Sequence, residues 1–259
     1  MKSFLASVSL LSIIPVPHRW TRNISTCSVY FSLTGFLLGA IFYAAAIAMK
    51  TMQMRSEWAA FLILLLMIVI TRGFHLDGLS DMADGFWGGK DREHILKIMK
   101  DSSTGVFGSL SLILVCLLKW IAIRFIIEQN HLWIFISSAA VSRFSMTLLS
   151  GFFNYARKNG TGGVVIQSTS MRHVVIAFLY CLLIMGFFTG YGALYIIFSG
   201  AVISMIIGLY SYFKIKGITG DILGASSEIS EALLLAITPN LLIFFANTSG
   251  GILWQLPIL

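Results

Sequence analysis

Several stretches of this chain run for close to 20 residues without a charged side chain, and that feature constrains the fold more than any other. A helix rises about 1.5 Å per residue, so about 20 apolar residues match the hydrocarbon thickness of a bilayer. A soluble globule of this size could not hide so much apolar sequence, because it needs a polar skin. Of the 259 residues, 57% are hydrophobic and only 11% charged, against about a quarter charged in soluble domains. The expected fold is an all-α polytopic membrane protein, with residues 1–259 forming a single integral membrane domain. Seven spans are expected, over residues 29–49, 58–71, 106–127, 132–153, 173–188, 191–213 and 231–247, the second and fifth being short. The apolar stretch 252–259 is too short to cross.

The N-terminus places Lys2 before an apolar run over residues 4–14, as a secretory signal would. No small-residue cleavage site follows; Pro15, Pro17, His18, Arg19 and Arg22 do. This reads as a retained interfacial or re-entrant segment. The three cysteines, Cys27, Cys116 and Cys181, are far apart and odd in number, which points to free thiols rather than a disulfide framework or a zinc site.

The net charge is +7. No aromatic-plus-basic strip accompanies it, so nucleic acid is not an expected partner. Cytoplasmic loops of membrane proteins collect Lys and Arg. With the N-terminus inside, 13 basic residues fall on the cytoplasmic side and only Lys50 and Arg55 on the other. That bias puts the loops after the second, fourth and sixth spans on one cytoplasmic face.

The acids are the most informative residues. Nine of the 11 lie in two segments assigned to that same face: Asp77, Asp81, Asp84, Asp91, Glu93 and Asp101, then Asp221, Glu228 and Glu231. Asp77, Asp81 and Asp84 are spaced by four and three, which on a helix places them within one narrow arc. Three ionised carboxylates on one face repel each other, and a divalent cation or nearby Lys and Arg relieve that cost. Oxygen ligands suit Mg²⁺, which completes its shell with water and substrate phosphate. The segment follows a span directly and is interleaved with Leu76, Leu79, Met82, Phe86 and Trp87. Acids in apolar sequence at membrane level are costly and usually functional.

Asp91 to Asp101 reads as a short amphipathic helix with Asp91 as N-cap and an apolar face of Ile95, Ile98 and Met99. Its Arg92, Lys97 and Lys100 suit phosphates or anionic membrane lipid equally. Asp101 is either a fourth acid of the site or a cap for the third span. Asp221 and Glu228 are seven apart and share a helix face with Gly224 and Ala225. These small residues give room to a phosphate or to another helix. Within spans, Lys119 and Arg124 suit snorkelling to a surface, whereas Arg143 sits near mid-span and suits a polar site. Gly35 and Gly39 form a close-packing motif, and the loop with Gly160, Gly162 and Gly163 reads as mobile.

The run Phe74-His-Leu-Asp-Gly-Leu-Ser-Asp-Met-Ala-Asp-Gly85 resembles the most distinctive motif of the cobalamin synthase family, the adenosylcobinamide-GDP ribazoletransferases. Asp91-Arg92, Ile98-Met-Lys-Asp-Ser102 with Gly105 and Gly108, and Thr219-Gly-Asp-Ile-Leu-Gly-Ala225 with Glu228 also resemble that family. So do Pro15-Val-Pro17, Ser142-Arg143 and Tyr155-Ala-Arg157, and the matches are ordered along almost the whole chain.

The resemblance implies an enzyme that joins adenosylcobinamide-GDP to α-ribazole or its 5′-phosphate, releasing GMP and forming adenosylcobalamin or its phosphate, with Mg²⁺ as cofactor. From the shared helix face and the two clusters closing on one diphosphate, Asp77, Asp81, Asp84 and Asp221 are the expected metal ligands. Arg92, Lys100, Arg143, Arg157, Gly220 and Gly224 would bind substrate, and Asp101, His75 or Glu228 would take the acceptor's proton. The membrane would be that of a bacterial or archaeal cell, shared with other membrane enzymes of corrinoid assembly. Three other readings use parts of the same pattern. Asp81-x-x-Asp84 alone suits isoprenoid-diphosphate transferases. The alcohol phosphotransferases share an Asp-Gly pair, but here Leu79-Ser80-Asp81 follows it. An ion-coupled transporter would carry its acids at the bilayer midplane between repeats. A retinal-type pigment is excluded, because the last span has no Lys.

Overall fold

The computed structural model describes residues 2–21, 24–190 and 192–248. Eleven helices are found among them: α1 (Lys2–Leu11), α2 (Phe31–Thr51), α3 (Ser56–Ile70), α4 (Phe74–Gly88), α5 (Arg92–Ile98), α6 (Val106–Glu128), α7 (Ile134–Phe152), α8 (Thr161–Ser168), α9 (Met171–Thr189), α10 (Gly192–Ile215) and α11 (Gly220–Thr248). Six are long and apolar enough to cross a membrane, or seven counting α3 and α4 as one broken span. The chain is thus an all-α polytopic membrane protein. The expected stretch 252–259, Arg22 and the first residue of the sixth span, Tyr191, lie outside the described residues.

The centre of the bundle is α7. Small residues dominate its middle, Ser137, Ser138, Ala139, Ala140 and Ser142, and all are buried. Gly35 and Gly39 of α2 are the counterpart. A Cβ on Gly39 would stand 2.6 Å from the Phe135 carbonyl oxygen, and one on Gly35 would collide with the Ala139 carbonyl. The Gly35 motif therefore packs two helices of one chain against each other.

The short second span has a structural counterpart. α3 has 15 residues, about 22 Å of helix, and then turns by 86° into α4. Arg72 and Gly73 make that elbow with left-handed backbone at φ 56° and 64°. Without a Cβ, Gly73 adopts this at no cost, whereas Arg72 does so against its side chain. The elbow is pinned to the end of α1: the Ile13 N–H donates to the Ile70 carbonyl at 2.7 Å and the Arg72 guanidinium to the Ser12 carbonyl at 2.8 Å. α1 has only ten residues, too few to cross, and packs on α2 through a 2.6 Å hydroxyl pair between Ser7 and Thr34.

Two expectations are corrected. The second acidic segment is not a loop before the last span; it is the first three turns of α11, which starts at Gly220 rather than at Glu231. The glycine loop expected to be mobile carries α8.

The loops after α4, α7 and α10 converge at one end. Arg92 donates from Nε to the Ile215 carbonyl at 2.9 Å and from Nη2 to the Ala156 carbonyl at 2.8 Å. Arg157 donates to the Met99 carbonyl at 3.0 Å, and Tyr155 and Ile218 form a short parallel bridge. Exposed pairs join a different set of connections, those after α2 and α6: Lys50 with Asn130 at 2.6 Å and Ser56 with Glu128 at 2.8 Å.

Candidate active site

The two acidic segments meet where α4 crosses α11. The approach is backbone to backbone: a Cβ on Gly78 would stand 2.6 Å from the Asp221 carbonyl oxygen, and one on Gly224 would stand 3.1 Å from the His75 Cα. The room at Gly224 is therefore filled by α4. This crossing sets the carboxylates of one helix beside those of the other. Asp81 lies within the electrostatic reach of Asp221, Asp77, Arg157 and Asp84, and Asp221 within that of Arg157 and Asp77.

The three α4 aspartates share an arc but not an environment. Asp77 is exposed, Asp81 half-buried and Asp84 buried. Asp84 accepts hydrogen bonds from the Gly105 N–H at 2.7 Å and the Gly108 N–H at 2.8 Å. Its charge thus answers the unpaired amides at the start of α6. Both glycines are required, because a Cβ on Gly105 would stand 2.5 Å from Asp84 Oδ1. Asp84, not Asp101, is therefore the acid that caps the third span. Asp101 is exposed and accepts from the backbone N–H and hydroxyl of Ser103, at 2.9 and 2.7 Å. Those two bonds hold its carboxyl below the usual range.

Asp221 accepts from the Thr219 hydroxyl at 3.1 Å and from Arg157 Nη2 at 2.8 Å. Asp77 and Asp81 have no hydrogen-bond or ion-pair partner among the described residues. Four carboxylates are thus coupled here to one guanidinium. Among the described residues no three His, Cys, Asp or Glu side chains converge as a ready-made metal site. The surplus of unpaired carboxylate oxygens nevertheless fits a hard divalent cation that keeps water and substrate oxygens in its shell.

A second polar cluster lies within the bundle. Lys119 donates to Glu228 at 2.5 Å and to Glu231 at 2.6 Å, and Arg143 pairs with Glu231 and with the Ser142 hydroxyl. All four charged side chains are at most 4% exposed. Lys119 therefore does not snorkel, because two carboxylates face it from α11. His75, fully buried, stands 4.0 Å from Glu228, and neither ring nitrogen has a hydrogen-bond partner among the described residues. Of the residues singled out in the sequence, Asp77, Asp81, Asp221 and Arg157 come together at the crossing, while His75, Glu228 and Arg143 belong to this inner cluster. Arg92 ties the loops, Lys100 is exposed, and Gly220 opens α11 against Gly162. Lys119 was missed as a member; its only signal was a charge near the middle of a span.

Beside the crossing lies a cleft of about 590 Å³ between α1, the elbow, α4 and the start of α6, with Asp77 and Arg72 in its lining.

The fold and the site define a polytopic membrane protein that gathers uncompensated carboxylates where two of its helices cross. The chain belongs to the cobalamin-5-phosphate synthase family, whose model matches residues 3–238. It is 38% identical over 239 residues to an adenosylcobinamide-GDP ribazoletransferase of Prosthecochloris aestuarii, covering 90% of this chain and 96% of that one. A protein of the same name from Chlorobium chlorochromatii is 36% identical, with 88% and 91% covered. Another from Clostridium tetani is 34% identical, with 93% and 97% covered. No solved structure matches.

Proposed function

We propose that this protein is an adenosylcobinamide-GDP ribazoletransferase, working at the crossing of α4 and α11. It transfers the adenosylcobinamide phosphate unit to α-ribazole or its 5′-phosphate and releases GMP. The reading rests on family membership, and the observation that carries it to a site is the coupled set of Asp77, Asp81, Asp84 and Asp221 with Arg157.

The reaction is an in-line displacement at phosphorus. A ribose hydroxyl oxygen of the acceptor bonds to the phosphorus beside the corrinoid arm, and the bond from that phosphorus to the bridging oxygen breaks. GMP leaves with the electron pair. Asp81 and Asp221 are the residues that would hold Mg²⁺, since both oxygens of the buried Asp84 accept from the Gly105 and Gly108 amides. When bound, Mg²⁺ supplies charge neutralisation of the diphosphate and of the leaving phosphate. Arg157 orients Asp221 and adds one positive charge at the same place. Asp77, exposed and lining the cleft, is best placed to receive the hydroxyl proton. His75 and Glu228 act from beneath by fixing the crossing, since both are buried away from solvent. Asp101 lies on the exposed turn before α6, where its bonds to Ser103 weaken it as a base.

In the sequence the basic residues divide 13 to 2 between the two sets of connections, and that bias supports a site facing the cytoplasm. The test is to incubate the purified protein in lipid with adenosylcobinamide-GDP, α-ribazole and Mg²⁺, and to follow GMP and the cobalamin product. Release of GMP that needs both α-ribazole and Mg²⁺ is expected. GMP release that ignores α-ribazole, or none, sinks the reading.

A further inference from the structure

We propose that the cleft beside Asp77 is the subsite for the acceptor nucleoside, and that Arg72 at the elbow is the contact for a phosphate carried by that acceptor. This rests on the transferase reading above and adds to it where the second substrate sits and what selects it.

Three observations carry the assignment. First, the volume of about 590 Å³ is in the range of small-molecule pockets. Its lining is polar in a way that suits a sugar: Ser9, Ser80 and Thr104 stand there with Arg72 and Asp77. Second, Ser80 is 3% exposed and its hydroxyl has no partner among the described residues. A buried hydroxyl without a partner costs free energy unless something that enters the cleft bonds to it. Third, the cleft reaches the carboxylate set through Asp77, which both lines it and couples to Asp81 and Asp221. An occupant of the cleft therefore has one end at the reacting diphosphate.

Arg72 is the only cation in the lining among the described residues. It has no carboxylate partner among the described residues. Its bond from one Nη to the Ser12 carbonyl leaves donors of the planar fork for a phosphate. That bond also fixes the side chain against α1, so the short N-terminal helix becomes a wall of the binding site.

The experiment compares α-ribazole with α-ribazole 5′-phosphate as acceptors, at saturating adenosylcobinamide-GDP, in wild-type, Arg72→Gln and Arg72→Lys proteins. Loss of a charge-assisted hydrogen bond to phosphate amounts to about tenfold to a hundredfold in affinity. The ratio of kcat/KM between the phosphorylated and plain acceptors should fall by about that factor in Arg72→Gln. Arg72→Lys should restore part of the ratio. The increase should appear in the acceptor's KM and not in the donor's. An equal loss with both acceptors would mean that Arg72 only docks α1, and would overturn the proposal. A rise in the donor's KM would assign Arg72 to the diphosphate, with the same consequence. Equilibrium dialysis of the two acceptors against the same three proteins reads the ratio without turnover. A wild-type protein that binds them with the predicted discrimination yet releases no GMP would sink the transferase reading and leave the subsite standing.

Discussion

Two clusters of charge sit two helical turns apart on α11, and they are built oppositely. At Glu228 and Glu231, two carboxylates meet two cations, Lys119 and Arg143, and the sum is neutral. At Asp221, carboxylates from two helices meet Arg157 alone, and the sum is strongly negative. Isolated charge in a low-dielectric interior is too costly to keep, so the inner cluster is complete without help. The outer one stands where water and a ligand can finish it. Charge surplus, rather than the mere presence of acids, distinguishes the proposed site from the buried strut.

The two clusters should differ most sharply in turnover. Asp81→Asn and Asp221→Asn should each lose about a hundredfold to a thousandfold in kcat, with thermal unfolding in detergent close to wild type. The double variant should be little worse than either single one, because residues that act as a unit are not additive. Multiplicative losses in GMP-release assays would show that the two helices serve separate steps.

For the inner cluster the expected loss is in folding. Glu231→Gln leaves Lys119 and Arg143 short of a buried partner, a defect of about 3–5 kcal/mol. Removing Arg143 in the same chain, as Arg143→Met, should return part of that stability by restoring neutrality. Thermal unfolding of both variants is the measurement, and a stable Glu231→Gln protein with poor turnover would move Glu231 into the chemistry.

A smaller effect concerns how the clusters are held together. Gly78→Ala puts a methyl 2.6 Å from the Asp221 carbonyl, an overpacking defect of about 1–3 kcal/mol, and should lower turnover as α4 and α11 part. Gly186→Ala in α9 meets nothing within 4 Å and should stabilise by about 0.5–1 kcal/mol through its helix propensity. Equal behaviour of the two alanines would remove the close crossing from the argument.

The smallest effect is on acid sensitivity. Ser103 lowers the Asp101 carboxyl, so the bonds of that turn are fully present above the ordinary aspartate value of about 3.9. They are lost as pH falls through the lowered value. Asp101→Asn should therefore leave the rate profile between about pH 6 and 8 unmoved in shape. A limb that disappears from that profile would make Asp101 the base.

The spans were legible because a run without charge has one physical outcome in lipid, and the Asp77-Asp81-Asp84 arc because helical spacing is fixed. The environments of those aspartates were not. Nothing in the spacing says that Asp84 turns to the amides of Gly105 and Gly108 while Asp77 stays in water; that depends on where α6 begins in space. The partners of Lys119 were hidden for the same reason, since they lie more than a hundred residues away on α11. The start of α11 was misjudged because acids and glycines look like a loop until another helix covers them.

The elbow after Ile70 makes α3 both ruler and compass for the chemistry. Because α4 leaves it at 86°, the height of the carboxylates is set by how many residues α3 contains, and their bearing by the angle at which α3 ends. One residue added within α3 would raise the elbow by about 1.5 Å and swing α4 by about 100°, lifting Gly78 off Asp221. The same residue added to the connection between α6 and α7 has no such lever. The length of an apolar helix whose side-chain polar contacts lie at its other end thus belongs to the specification of the proposed site.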